Sequence, residues 1–145
     1  MYIKKIIKKI VYPILVSFGF LIFKKRGIIN YKDINSILVV NLGLLGDCLL
    51  ISPLISNLVN NYGDNIKINV LVTPWSYPSI KNNDKVKKII FEAFWADPTD
   101  NHKHKIRLSH IIKLIKIIKL LRKEKFDLVI NTWFTDTPLT AILLR

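Results

Sequence analysis

Hydrophobic and polar positions fall into an alternation of short apolar runs and helical stretches from residue 36 onward. Ser36-Ile37-Leu38-Val39-Val40-Asn41 is almost wholly apolar and rich in β-branched residues, as a strand covered on both faces should be. A loop over 42–46 then leads into a helical stretch reaching about Asn61, stopped by Tyr62-Gly63-Asp64-Asn65. The start of that helix has two solutions: Asp47 caps it directly, or Ser52 caps it with Pro53 at the first helical position. The pattern next predicts a strand over 66–73, a short helix over 76–82, a strand over 87–91 and a polar loop over 93–105. A helix over 106–125 has the strongest periodicity, and a fourth buried strand follows over 127–131. Strands alternating with helices predict a Rossmann-like α/β fold, a parallel sheet with flanking helices.

Length and composition narrow the class. The 145 residues suit one domain, and a hydrophobic share of 50% with 5 Gly and 6 Pro excludes disorder and collagen-like sequence. One cysteine, Cys48, excludes a disulfide framework and a cysteine-rich zinc module. The apolar ending Ala141-Ile142-Leu143-Leu144-Arg145 has no capping residue, which leads us to expect the front part of a longer protein.

Charge changes the picture once it is located. The net +13 sits in two blocks, +7 over residues 1–26 without a single acid and +8 over 102–125, around a nearly neutral middle. Such blocks attract polyanions. In the first, Lys4, Lys5, Lys8 and Lys9 precede an uncharged run that Lys24, Lys25 and Arg26 close. As a helix that run rises about 21 Å, short of the roughly 30 Å hydrocarbon core. The expected state is a helix lying in the interface, with Phe18, Phe20 and Phe23 in the acyl boundary and the lysines on anionic headgroups. A spanning anchor and a helix packed on the protein itself are the alternatives. Residues 27–35 are expected to link this segment to the 36–145 domain. Nucleic acid is not the expected partner, because no RNP, zinc-finger or helix-turn-helix signature accompanies the charge. On the 106–123 helix the apolar arc is wider than one buried stripe; it fits a crossover helix covering the sheet, or a membrane or partner role.

Candidate chemistry gathers where the first strand ends, since ligands of open α/β sheets bind beyond the carboxyl ends of strands. The segment there is Asn41-Leu42-Gly43-Leu44-Leu45-Gly46-Asp47. It is neither the dinucleotide fingerprint nor a P-loop. It places one carboxylate, Asp47, at the mouth of the sheet. Gly43 and Gly46 serve chain reversal or close approach of a ligand. Cys48 reads as a buried, inert thiol, with an activated one at a helix start as the alternative. Trp133 and Phe134 line a cleft or simply pack; Trp75 and Trp95 receive no assignment. His102 and His104 lack the partners of a metal shell, so no metal is expected.

These residues carry a resemblance. The run Ile37-Leu38-Val39-Val40, the loop ending Leu45-Gly46-Asp47 and then Leu49-Leu50-Ile51-Ser52-Pro53-Leu54 resemble the opening of the family-nine glycosyltransferases, the heptosyltransferase-like enzymes of lipopolysaccharide assembly. The Tyr62-Gly63 stop, Asn83-Asp84-Lys85-Val86 and Lys125-Phe126-Asp127-Leu128-Val129-Ile130 agree with it. The resemblance implies the N-terminal, acceptor-side half of a GT-B type fold. It implies an inverting transfer of a sugar from a nucleotide-sugar, ADP-heptose-like, that a second domain outside this chain would bind. The acceptor would be a glycan or glycolipid of lipopolysaccharide or cell-envelope type, and the place the inner face of the cytoplasmic membrane. No further cofactor is expected.

In that reaction the acceptor hydroxyl must lose a proton, and the resemblance gives this base role to Asp47. A helix N-terminus stabilises the ionised carboxylate and works against a base, so a plain cap remains the other use of Asp47. The chain departs from the family pattern at Asn41, where similar enzymes carry Arg or Lys. It departs again at the end of the fourth strand, Asn131-Thr132-Trp133-Phe134 in place of a terminal Asp. Both departures bear on acceptor binding, to which Asn41, Gly43, Gly46 and Trp133 are assigned. A non-catalytic, membrane-associated α/β binding module, or a truncated relic, is the alternative function.

Overall fold

The computed structural model describes residues 33–92 and 108–132. The expectations for residues 1–32, including the whole basic-apolar segment, and those for His102, His104, Trp95, Trp133 and Phe134 lie outside the described residues. Strands β1 (Ser36–Asn41), β2 (Lys67–Val72), β3 (Val86–Ile90) and β4 (Leu128–Asn131) form a parallel sheet in the order β3-β2-β1-β4. This is the Rossmann-like arrangement expected from the alternation of strands and helices. β1 lies in the middle, pairing Ser36 with Lys67 on one side and Ile37 with Leu128 on the other.

Central position explains composition. Ile37, Val39 and Val40 of β1 and Val70, Leu71 and Val72 of β2 are fully buried, since both faces of these strands are covered. One face carries Ile37, Val39, Ile68, Val70 and Val86 against helix α2 (Ser52–Tyr62), through Ile55, Leu58 and Val59. Ile34, in the stretch expected to be a linker, belongs to the same core. Helix α3 (Leu108–Glu124) lies over the other face. Its Ile117 and Leu121 are buried there, and Lys87 reaches Glu124 at 3.0 Å.

Three expectations change. The single helix expected up to Asn61 is two: α1 (Leu45–Leu49) and α2, separated by Leu50-Ile51. Both proposed starts mark real helix starts, but neither residue is the cap itself. Leu44 and Ile51 occupy the cap positions, Asp47 lies in the first turn of α1 and Ser52 opens α2 ahead of Pro53. The helix expected over 76–82 is a single 3-10 turn, Tyr77–Ser79, because Pro78 and the Asn82-Asn83 pair leave too few residues for a sustained helix. Helix stops are as expected: Gly63 takes φ 85° at the end of α2, and Lys125 takes φ 50° after α3.

Candidate functional site

Asn41 is the last residue of β1 and is 1% exposed. Burying an amide requires partners, and each end of this one has them. Its Oδ1 accepts the Gly43 N–H at 3.1 Å, and its Nδ2 donates to the Asp47 carbonyl at 3.2 Å and to Thr132 Oγ1 at 3.1 Å. Thr132 in turn donates to the Val40 carbonyl at 3.1 Å. One side chain therefore ties the end of β1, the glycine loop, the first turn of α1 and the end of β4. Asn69, the other buried asparagine of the sheet, differs: its Oδ1 has no partner among the described residues.

The loop is held from the β2 side as well. Trp75 donates its indole N–H to the Gly43 carbonyl at 3.2 Å, and Thr73 Oγ1 reaches the same oxygen at 3.4 Å. Thr73 and Ser76 hydroxyls lie 2.7 Å apart and are buried. Nothing local in the sequence marks Trp75 for this role. The available signal was topological: loops leaving the carboxyl ends of adjacent parallel strands must meet, and β2 follows β1.

Asp47 is exposed at the mouth of the sheet. Its Oδ2 accepts the Leu44 N–H at 2.9 Å, which satisfies one orphan donor of the helix. This is half of a capping box, because a leucine has no side-chain acceptor to return. Oδ1 makes no hydrogen bond among the described residues. The exposed carboxylate thus caps with one oxygen and leaves the other without a hydrogen bond among the described residues.

The two glycines differ in what they permit. Neither has a left-handed φ, so neither is needed for chain reversal. At Gly43 a Cβ would lie 2.5 Å from Asp47 Oδ2, so the missing side chain makes room for the carboxylate. At Gly46 a Cβ would meet nothing within 4 Å, leaving the backbone beside Asp47 open to approach. Around it Leu44, Leu45, Leu49 and Leu50 are exposed, Leu50 to 78%.

Cys48, one residue on, is buried, and burial pushes its thiol up against hydrogen bonds with Ser79 and Ser76 that pull it down. It is a buried core thiol. A groove of about 460 Å³ opens between the end of β3 and α3, lined by Pro74, Ile89, Phe91, Lys113, Lys116 and Leu120 among others, and none of the expected site residues borders it. Among the described residues no group of His, Cys, Asp or Glu could hold a metal ion. No helix among them is long and apolar enough to cross a membrane.

Fold and site define a Rossmann-like α/β domain that presents one capped carboxylate beyond the central strand of a parallel sheet. Its sequence is heptosyltransferase-like. Over 100 residues the chain is 34% identical to lipopolysaccharide heptosyltransferase 3 of Escherichia coli, covering 69% of this chain and 26% of that protein. It is 32% identical, with the same coverage, to lipopolysaccharide heptosyltransferase 3 of Escherichia coli strain K12. The chain spans about a quarter of the length of the curated relatives it matches. No family model and no solved structure matches it.

Proposed function

We propose that this chain is the acceptor-side half of a family-nine, GT-B type glycosyltransferase of lipopolysaccharide assembly, with Asp47 as the catalytic base. The observation that carries the reading is the exposed position of Asp47 just beyond β1, in a chain 34% identical over 100 residues to a lipopolysaccharide heptosyltransferase. The acceptor hydroxyl gives its proton to this carboxylate as its oxygen bonds to the anomeric carbon. The bond from that carbon to the nucleotide diphosphate breaks, and the diphosphate leaves with the electron pair. Attack opposite the leaving group inverts the centre.

The donor, an ADP-heptose-like nucleotide-sugar, is bound by the second domain. The acceptor is a glycan or glycolipid of the cell envelope, approached across Gly46 and, beyond the described residues, Trp133. Residues 1–26 hold the enzyme peripherally at the inner face of the cytoplasmic membrane through Lys4, Lys5, Lys8, Lys9 and the closing Lys24-Lys25-Arg26. Asn41 serves the acceptor indirectly, by fixing the loop that carries Asp47.

Asp47→Asn, in the protein together with its nucleotide-sugar-binding half, tests the reading. The amide keeps an oxygen able to accept the Leu44 N–H but cannot take a proton. Turnover falls by about 10²-fold or more while the melting temperature barely moves. Unchanged turnover with a lowered melting temperature would leave Asp47 as a cap and return the chain to the non-catalytic binding class.

A further inference from the structure

A crossover helix that merely covers a sheet buries one stripe and turns a polar face of mixed charge to water. α3 buries such a stripe, Ile117 and Leu121 flanked by the half-buried His110, Leu114 and Ile118, but its other face is not of that kind. At 100° per residue, Ile111, Ile112, Ile115, Lys116, Lys119, Arg122 and Lys123 share an arc of about 140° on the other side of the helix. All seven are exposed, the three isoleucines to 44%, 46% and 47%. The helix has no acidic residue before Glu124, and that one pairs with Lys87.

We propose that this face of α3 is a docking surface for an anionic phospholipid bilayer, a second contact besides the basic-apolar segment at the start of the chain. Charge complementarity selects the occupant. Three lysines on one exposed arc, Lys116, Lys119 and Lys123, with no acid among them, fit an anionic surface, and the three isoleucines between them distinguish that surface from a nucleic acid. Isoleucines gain by entering the acyl boundary, whereas a phosphate backbone offers them nothing. Lysine and arginine stems reach from such a depth back to the headgroups. Residues 1–26 repeat the same chemistry, seven cations and no acid around an apolar run, so two segments of one chain match one partner.

The test reads the helix directly. Cys48 is buried, so a thiol introduced at an exposed position is labelled selectively. The intact chain carrying Ile112→Cys with an environment-sensitive fluorophore is mixed with phosphatidylglycerol/phosphatidylcholine vesicles, beside a control at Asn60→Cys on α2, across the sheet. The emission at position 112 shifts to the blue, less so at high salt, and the control does not shift. Lys119→Gln with Lys123→Gln lowers vesicle partitioning by about 25-fold, roughly five-fold per cation, with an unchanged far-ultraviolet circular dichroism spectrum. Vesicles that bind the chain without a shift at position 112, or partitioning indifferent to the two lysines, would overturn the proposal. So would a lysine variant that dissociates an oligomer in size-exclusion chromatography but binds vesicles normally, because the face would then join copies of the chain. None of these readouts needs sugar transfer, so they succeed or fail independently of the role of Asp47.

Discussion

Replacing Gly43 by alanine adds one methyl group in a place where the structure allows little movement. The Gly43 peptide is pinned on both sides, its N–H by Asn41 Oδ1 at 3.1 Å and its carbonyl by the Trp75 indole at 3.2 Å. Its φ is one that alanine adopts, so the backbone itself raises no objection. The new Cβ would lie 2.5 Å from Asp47 Oδ2, 3.0 Å from its Cβ and 3.1 Å from its Cγ. Ordinary contact between such atoms begins near 3.5 Å, so the carboxylate must retreat by about 1 Å. That movement breaks the 2.9 Å bond to the Leu44 N–H. Loss of a cap costs about 1 kcal/mol and local overpacking about 1–3 kcal/mol. The stiffer unfolded chain returns about 0.4–1 kcal/mol. The net loss expected in urea unfolding of the intact chain is about 1–3 kcal/mol. With Asp47→Ala as background the cap is already absent and only the Cβ contact remains, so adding Gly43→Ala there costs under about 1 kcal/mol. Equal cost in both backgrounds would refute the argument that Gly43 exists to clear the carboxylate. A stabilising Gly43→Ala would refute it more directly.

Two further outcomes follow from neighbouring residues. Asn41→Leu leaves the Gly43 N–H buried without its acceptor and Thr132 without its donor, and lowers stability by about 2–4 kcal/mol in the same unfolding assay; a loss below 0.5 kcal/mol would mean that water replaces the amide. Cys48, with its thiol raised by burial, carries less thiolate than a free cysteine at any pH below its own titration, so iodoacetamide at pH 8 modifies it slowly in the folded chain and rapidly in urea. Fast modification of the native chain, followed by mass spectrometry, would place the thiol at the surface.

The sequence by itself determined the parallel α/β class and most of the elements. Ile37 to Val40 is apolar without interruption and Ile68 to Val72 is broken only by Asn69, and only strands buried on both faces need that, so the pattern carries its own tertiary meaning. Gly63 announced a helix end because a left-handed residue there suits glycine. Asp47 was legible as the one carboxylate at the mouth of the first strand. Its partners were not. That Asn41 joins Thr132 across 91 residues, and that Trp75 holds the Gly43 carbonyl across 32, follows only when adjacent strands bring their carboxyl ends together. The same holds for α3: its periodicity shows a wide apolar arc, but only packing on the sheet decides which part of that arc is spent on Leu121 and Ile117 and which is left exposed at Ile111, Ile112 and Ile115. Local pattern records what each residue can bury; which residues meet is set by the order of the strands, and that order is a property of the folded chain.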